Sequence, residues 1–199
     1  MKQSDISRKL VKLLRHEAPN LGVNLDRHGG VKLSYILSLS KLGLSLELIH
    51  DIVTKCPKQR FKIYKDMYGE DRICASQGHS FPVVPFGCSE ITLENLDELD
   101  INPMTIVHGT YNEFIKIIKE QGLSRMSRTH IHFGTNIPEA GDVISGMRKS
   151  CNVLIYLDIV KALKDNITFI LSNNRVILSP GNKDGFILPK YFKTITQRN

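Results

Sequence analysis

The spacing of hydrophobic residues changes near the middle of this 199-residue chain, and that change most limits the folds it can adopt. In the first half, apolar residues such as Ile6, Leu10 and Leu14 recur at helical intervals. The second half alternates short apolar runs with helical stretches. A chain with both patterns is predicted to be an α+β protein with two lobes, residues 1–90 and 101–199.

The first lobe is predicted to contain three helices followed by a β-hairpin. Ser4 or Asp5 can cap the first helix, and Ser45 can cap the third. Two apolar runs on either side of Gly69 then predict the hairpin. This order is typical of a winged-helix module, which commonly binds nucleic acid, although a fold alone does not define a function.

The second lobe is predicted to contain a small mixed β-sheet, because its apolar runs are short and are separated by polar loops. The runs are residues 104–110, 129–134, 153–159 and 175–181. Thr110 is expected to cap the helix that follows the first run. No GxGxxG motif follows a strand, which argues against a Rossmann dinucleotide site. The acidic segment 88–103 ends in a proline and is predicted to be a connector between the lobes.

Positive charge is concentrated in the first half of the chain. Residues 1–90 contain 14 Lys and Arg against 9 Asp and Glu, residues 91–199 contain 13 against 11, and the formal net charge is +7. Such an excess favours a polyanionic partner for the first lobe. A positive surface that only aids solubility is the alternative.

Cysteine usage and hydropathy indicate the compartment. The four cysteines are far apart and form no CxxC pair, which is typical of free thiols in a reducing interior. No apolar run is long enough to span a bilayer, and the N-terminal residues lack the features of a secretory signal. We therefore expect an intracellular protein, cytoplasmic or nuclear, without a membrane partner.

Histidine and arginine supply the candidate functional side chains. His130 and His132 are expected on one face of a strand, where they could bind a metal or make structural hydrogen bonds. No further ligand stands at a supporting spacing, which disfavours a zinc site. Several arginines lie at the ends of elements beside Gly, Ser or His. They predict phosphate binding, because a guanidinium group grips phosphate oxygens in pairs, and a solvated face is the alternative. These arginines are Arg15, Arg72, Arg125 and Arg128.

Cys74 and His79 are five residues apart, which raises the question of a thiol nucleophile. A Cys–His dyad needs a thiolate beside the imidazole ring and an oxyanion hole nearby. The spacing fixes no such geometry. A small buried cysteine is therefore the favoured interpretation.

Seven motifs in the same order resemble those of the tRNA 2′-phosphotransferase family and extend over nearly the whole chain. They are SRKLVKLLRH (7–16), KQRF (58–61), QGHS (77–80), HGT (108–110), SRTHIHF (127–133), SGMRKSC (145–151) and VILSPGNKDGFILPKYF (176–192). Each motif alone is weakly specific, whereas seven in this order are highly specific. The eukaryotic-type members of the family look most similar.

The resemblance implies a winged-helix-like lobe that presents RNA and an ADP-ribosyltransferase-like lobe that binds NAD. The family removes the 2′-phosphate left at a tRNA splice junction. This phosphate attacks the anomeric carbon of the NAD ribose and expels nicotinamide. The ribose 2″-hydroxyl then attacks the phosphorus, which leaves an RNA 2′-hydroxyl and ADP-ribose 1″,2″-cyclic phosphate. The implied co-substrate is NAD without a metal, the partner is tRNA or another RNA with an internal 2′-phosphate, and the protein is expected to be a monomer.

Three residues match family positions that grip the transferred phosphate, namely Arg15, His16 and Arg128. His79 lies in the QGHS motif, which is also implied to bind phosphate or RNA. Because a phosphate nucleophile is already charged, the first step needs orientation rather than a base, and cationic side chains can stabilise the charge that develops in the second.

The implied NAD site lies in the second lobe. His108, Gly109 and Thr110 match the residues that hold the nicotinamide riboside, and His132 matches a second histidine of the site. In addition, Val176 stands where related transferases have a glutamate, and Arg148 is implied to contact the NAD diphosphate or the RNA.

Cys74 departs from the family pattern, because the chain reads ICASQGHS where the family reads IRANQGHS. Cys74 is therefore interpreted as a lost arginine, and losing such a contact could lower the rate by on the order of 10²–10³. Arg72, two residues earlier on the same strand face, is predicted to supply the missing cation, or else to fill a neighbouring basic position.

Two alternatives to a phosphotransferase remain open. One is a catalytically silent RNA-binding relative, against which the retained NAD-side motifs argue. The other is an ADP-ribosyltransferase that stops after the first step and caps a nucleic-acid phosphate.

Overall fold

The chain divides into two compact units in the computed structural model, Met1–Gly87 and Cys88–Asn199. The structure describes residues 3–39, 43–135, 147–148 and 150–198. Each unit contains its own cluster of buried hydrophobic side chains. None of the helices in these ranges is both long enough and apolar enough to cross a bilayer.

The first unit combines three α-helices with a three-stranded antiparallel sheet. The helices are α1 (Gln3–Lys12), α2 (Leu33–Ser38) and α3 (Leu46–Thr54), and the strands are β1 (Val31–Lys32), β2 (Phe61–Lys65) and β3 (Asp71–Ala75). The strands lie in the order β1-β3-β2. The predicted hairpin of β2 and β3 is confirmed, whereas the two-residue strand β1 is too short to have been predicted from its pattern.

Local sequence explains where α3 begins and how α1 changes along its length. The prediction that Ser4 or Asp5 caps α1 is wrong, because both residues lie inside the helix Gln3–Lys12. Ser45 caps α3 as predicted, with its Oγ atom accepting a hydrogen bond from the backbone N–H of Leu48 at 3.2 Å. After Lys12 the first helix widens into a π-helical segment, Leu13–Glu17, followed by a 3-10 turn, Ala18–Leu21. Single π-turns often occur at functional positions.

Alternation along the hairpin separates a core face from a polar face. Phe61, Ile73 and Ala75 pack with the helices in the core of the first unit. Because successive side chains point to opposite faces, residues at the intervening positions lie on the other face. These residues are Lys62, Tyr64, Arg72 and Cys74.

The second unit is built on a seven-stranded sheet in the order β12-β8-β5-β7-β10-β9-β4, with a separate β11-β6 pair. The strands are β4 (Ser89–Ile91), β5 (Val107–Thr110), β6 (Leu123–Ser124), β7 (Ile131–Gly134), β8 (Val153–Leu157), β9 (Phe169–Leu171), β10 (Val176–Ser179), β11 (Phe186–Ile187) and β12 (Phe192–Gln197). The helices are α4 (Ile115–Gln121) and α5 (Ile159–Lys164).

The four predicted strands of the second unit are confirmed, but the prediction of a mixed sheet is wrong. All the strand pairs between the described residues of this unit are antiparallel. The apolar runs could not show this, because strands buried on both faces read as continuous hydrophobic segments in sheets of either kind.

The prediction that Thr110 caps the next helix is wrong. Thr110 is the last residue of β5, and the following helical turn begins at Asn112 with Tyr111 as its N-terminal flanking residue. The end of α4 is as the sequence indicates, since Gly122 terminates it with a φ of +97°. A threonine therefore serves in the sheet rather than at a helix terminus.

The acidic segment 88–103 belongs to the second unit instead of connecting two lobes. Its strand β4 pairs with β9 at the edge of the sheet, and Leu96 and Ile101 are buried in the core of the unit. The acidic residues between these apolar positions gave the segment a polar pattern, although most of its hydrophobic side chains contribute to packing.

Candidate active site

The first candidate cluster joins the π-helical segment to the QGHS loop. The backbone carbonyl of Arg15 accepts a hydrogen bond from the N–H of Ser80 at 3.0 Å, and His16 Nδ1 lies 3.1 Å from Ser80 Oγ. Gly78 packs against the Arg15 guanidinium group, since a Cβ atom on Gly78 would be 3.2 Å from Arg15 Cζ. Residues of the LRH and QGHS motifs, more than 60 positions apart in sequence, thus form one cationic cluster.

Two further side chains of the QGHS loop are buried beside this cluster. His79 is 1% exposed and its ring contacts Phe81 edge-on, with 5.3 Å between the ring centroids. Gln77 is 6% exposed, and its Oε1 atom accepts no hydrogen bond from the described residues. The amide of Gln77 was not among the predicted site residues, and only its position inside the QGHS motif could have suggested it.

Cys74 is a buried thiol on the polar face of the hairpin. It is fully inaccessible in β3, and burial raises the pKa of its thiol to about 12. The thiol is therefore protonated at neutral pH, whereas nucleophilic attack requires a thiolate. This environment favours the interpretation of Cys74 as a small buried residue.

Arg72 lies on the same face as Cys74, and its guanidinium group is already engaged. Nε donates to Asp66 Oδ2 at 2.7 Å, and Nη1 donates to the carbonyls of Gly30 at 2.9 Å and Asn24 at 3.1 Å. Only 6% of the Arg72 side chain is exposed. The predicted phosphate contact of Arg72 would require these interactions to break.

The second candidate cluster, in the second unit, centres on His108. Its Nδ1 atom lies 2.8 Å from the carbonyl oxygen of His132, so Nδ1 must be the protonated nitrogen and Nε2 the acceptor in the neutral ring. Burial lowers the pKa of His108, and the positive charge of Arg128 lowers it further. His108 is therefore a neutral imidazole at neutral pH. The His132 side chain is itself buried, at 7% exposure on β7.

Close packing surrounds the two residues that follow His108. A Cβ atom on Gly109 would overlap the side chains of Met147 and Cys151, so a larger residue fits at this position only if these side chains move. Thr110 is buried, and its carbonyl accepts a hydrogen bond from the N–H of Asn152 at 3.1 Å. The backbone of the HGT motif is thus tightly packed against residues 147–152.

Two arginines of the second unit, Arg128 and Arg148, interact electrostatically and have no acidic partner among the described residues. Loss of hydration and the positive charge of Arg148 both lower the pKa of Arg128. The Tyr111 hydroxyl lies 2.7 Å from Ser150 Oγ, and its interactions with Ser150 and Arg148 lower the pKa of Tyr111. Neighbouring guanidinium groups without a carboxylate are an arrangement that an anion can stabilise.

Other residues of the predicted site lie in different environments. Val176 is completely buried in β10, and its backbone N–H donates to Ser172 Oγ at 3.0 Å. His130 precedes β7 and has its Nδ1 atom 2.8 Å from Thr129 Oγ1, so it does not share the strand environment of His132. The parts of the chain that the structure describes contain no group of three or more metal-ligating side chains. The predicted SGMRKSC motif lies partly outside the described residues, which include Met147, Arg148, Ser150 and Cys151.

The fold and these clusters define a two-unit α+β protein that carries arginine and histidine side chains suited to phosphate groups. The chain belongs to the RNA 2'-phosphotransferase, Tpt1 / KptA family, whose family model matches residues 1–181.

Similar proteins carry related names. The tRNA 2'-phosphotransferase 1 of Danio rerio is 39% identical over 191 residues, which cover 94% of this chain and 82% of that protein. The tRNA 2'-phosphotransferase 1 of Homo sapiens is 39% identical over 194 residues, which cover 96% and 75%. A probable RNA 2'-phosphotransferase of Rhodopirellula baltica is 33% identical over 175 residues, which cover 86% and 88%.

Proposed function

We propose that this protein is an NAD-dependent tRNA 2′-phosphotransferase. It would transfer the splice-junction 2′-phosphate of tRNA to NAD and release nicotinamide and ADP-ribose 1″,2″-cyclic phosphate. Family membership and the names of the similar proteins support an RNA 2′-phosphate as substrate. The observation that carries the proposal is the cationic cluster of Arg15 and His16 against the QGHS loop.

The first unit is proposed to be a winged-helix-like RNA-binding lobe. Its element order of helix, short strand, two helices and hairpin, and its β1-β3-β2 sheet, support this assignment. The excess of positive charge in residues 1–90 suits an RNA backbone. Arg15 and His16 would hold the 2′-phosphate as charge-assisted donors, and His79 would support the loop that faces them. The buried Gln77 Oε1 atom would accept a hydrogen bond from a ribose hydroxyl, because a buried acceptor that has no donor costs free energy.

The second unit is proposed to be an ADP-ribosyltransferase-like lobe that binds NAD as a co-substrate. Its donor set fits a dinucleotide. The neutral His108 presents an Nε2 acceptor beside the tightly packed Gly109, and Arg128 and Arg148 supply two adjacent positive charges suited to phosphate oxygens. His132 would fix the ring orientation of His108 through its carbonyl oxygen. No proposed role requires a metal.

Two of the predicted site residues would act indirectly. The side chain of Val176 is fully buried, so we propose that it shapes the NAD site from within the sheet. Cys74 brings no charge to the phosphate cluster, which supports a second candidate function, that of an RNA-binding relative with weak or absent catalysis.

The deciding experiment is an end-point assay with an oligoribonucleotide that carries one internal 2′-phosphate, incubated with and without NAD. NAD-dependent loss of the phosphate, with nicotinamide and the cyclic phosphate as products, is expected of the wild-type protein. A stable ADP-ribosylated strand would instead support a capping ADP-ribosyltransferase.

A Cys74→Arg variant and an Arg15→Ala variant separate the remaining outcomes. Turnover by Cys74→Arg alone would indicate a disabled enzyme and favour the RNA-binding role. Arg15→Ala is expected to lower turnover by about 10²–10³, as for the loss of one charge-stabilising donor. If neither the wild-type protein nor Cys74→Arg turns over, the proposed function is wrong.

A further inference from the structure

We infer that Arg72 is a positioning residue of the phosphate site: it fixes the turn formed by residues 26–30, and this turn supports the QGHS loop from behind. The inference rests on the proposed function for its catalytic consequence. It assigns Arg72 a role different from that of a cation that replaces an arginine at Cys74.

The first step is the anchoring of Arg72 between two loops. Asp66, at the start of the hairpin turn, accepts from Arg72 Nε at 2.7 Å, and the Gly30 carbonyl accepts from Nη1 at 2.9 Å. Both members of the ion pair are shielded, with 6% of the Arg72 side chain and 9% of the Asp66 side chain exposed. The hydrogen bond from Arg72 lowers the pKa of Asp66. Because these hydrogen bonds occupy the guanidinium group of Arg72, it is not available to bind a phosphate.

The second step is the closure of the turn itself by Asp26. Asp26 Oδ1 accepts from the backbone N–H groups of His28 at 2.9 Å and Gly30 at 2.8 Å. The hydroxyl of Tyr64, on β2, donates to the other carboxylate oxygen, and Arg72 Nε lies 3.9 Å from that oxygen. The turn is therefore tied to both strands of the hairpin through one carboxylate.

The third step is the contact between the turn and the segment that contains His79. The N–H of Val84 donates to the Arg27 carbonyl at 2.9 Å, and His28 Nδ1 lies 2.7 Å from the Val84 carbonyl. Gly29 packs directly on the loop, since a Cβ atom there would be 3.3 Å from His79 Nε2. The backbone of Ser80, next to His79, is in turn bonded to Arg15.

These contacts form a continuous route within the first unit. Arg72 holds Gly30, the turn supports His79, and the loop meets Arg15 and His16 on its other side. Movement of the turn would displace the loop that lies against the cationic cluster. Since misplacement by about 1 Å can cost about 100-fold in rate, Arg72 can affect catalysis without touching the phosphate.

A double-mutant cycle with Arg72→Gln and Asp66→Asn tests this inference. If the pair acts as one positioning unit, each single variant lowers kcat by about 10- to 100-fold, and the double variant is no worse than either. The KM for the 2′-phosphorylated oligonucleotide should change much less than kcat. If Arg72 contacted the phosphate directly, Asp66→Asn would release the guanidinium group and leave or raise activity, while Arg72→Gln alone would abolish it. That result would overturn the inference.

Two controls separate positioning from general destabilisation. Lys65→Gln removes an exposed ion pair with Asp71 in the same hairpin and should leave kcat unchanged. All assays are made well below the unfolding midpoint of each variant. If Arg72→Gln does not fold, Tyr64→Phe removes only one hydroxyl bound to Asp26 and should still lower kcat measurably.

A measurement that does not depend on catalytic turnover tests the inference separately from the proposed function. In NMR spectra of the histidine side chains, Arg72→Gln should shift the ring signals of His79 and His16 and leave those of His108 in place. Unchanged signals of His79 and His16 would overturn the inference even in an inactive protein. Shifted signals in a protein without NAD-dependent turnover would instead count against the proposed function alone.

Discussion

Arg15 and Gly78 lie against each other, with the Gly78 backbone running along the guanidinium group. A Cβ atom on Gly78 would be 3.2 Å from Arg15 Cζ and 3.3 Å from Nε, and the φ angle of Gly78 is +88°. Only glycine readily adopts this conformation, and only glycine leaves this space. The close contact between the QGHS loop and the arginine of the LRH motif therefore depends on glycine at position 78.

Substitution of Gly78 by alanine should damage the site more than the fold. Both backbone strain and contact with Arg15 oppose the methyl group, so we expect a loss of about 1–3 kcal/mol in the free energy of unfolding. A displaced guanidinium should lower kcat by about 10- to 100-fold. Chemical denaturation and the 2′-phosphate assay measure the two effects.

The matched control is Gly22→Ala. Gly22 also has a left-handed φ angle, +65°, but a Cβ atom there would meet no atom within 4 Å beyond its chain neighbours. This variant should lose stability by strain alone and keep its activity. Equal losses of activity in both variants would show that the contact between Gly78 and Arg15 does not matter for catalysis.

The HGT motif allows a similar test in the second unit. Alanine at Gly109 would overlap Met147 and Cys151, and overpacking of this kind typically costs about 1–3 kcal/mol. We expect Gly109→Ala to lower NAD-dependent release of nicotinamide. Adding Met147→Ala removes the closer of the two overlaps and should restore part of the stability, while the overlap with Cys151 Sγ remains. If the double variant is as unstable as the single one, the overlap with Met147 is not the cause of the loss.

Much of the element order could be predicted from the sequence, because it depends on local spacing. Helical intervals placed α1, the capping serine placed the start of α3, and apolar runs around Gly69 placed the hairpin. Thr110 shows the limit of such signals, because a residue suited to helix capping lies here at the end of a buried strand. The direction of strands within the sheet depends on packing between segments distant in sequence.

The candidate site was predictable in its residue types but not in its contacts. The motifs indicated Arg15, His16 and His108 as candidate site residues, and the structure places all three in polar clusters. The partners of Arg72 could not be predicted, because Asp66 and Gly30 lie in separate loops that meet only in the folded chain. Alternation along β3 correctly placed Arg72 and Cys74 on one face, yet it carries no information about what covers that face.

Thiol reactivity tests the assignment of Cys74 as a buried, unreactive residue. Burial raises the pKa of Cys74 to about 12, so iodoacetamide near neutral pH should not modify it in the folded protein. The partly exposed Cys88 should react slowly, and Cys56 and Cys151, both buried, should be protected. Mass spectrometry of digested protein locates the label, and denatured protein provides the control in which all four cysteines react. Preferential labelling of Cys74 in the native state would revive the nucleophile hypothesis.

Two partly buried histidines of the second unit should make folding stability depend on pH. Burial lowers the pKa of His108 and of His130 in the folded protein, and the charges of Arg128 and Arg125 add to the respective shifts. In the unfolded chain a histidine titrates at about 6.5. Below that pH the unfolded state binds more protons than the folded state, so stability is lost as the pH falls through this region.

We therefore expect the free energy of unfolding to decrease from pH 7 to pH 5, at no more than about 1.4 kcal/mol per pH unit for each such histidine. His108→Asn keeps a donor that can reach the His132 carbonyl but cannot take up a proton, so it should flatten part of this slope. His50→Gln, at an exposed position of α3, is the control for removal of a histidine outside the second unit. Urea denaturation at pH 5, 6, 7 and 8 measures all three proteins. A slope unchanged by His108→Asn would contradict a neutral His108, and with it the proposed acceptor at the centre of the NAD site.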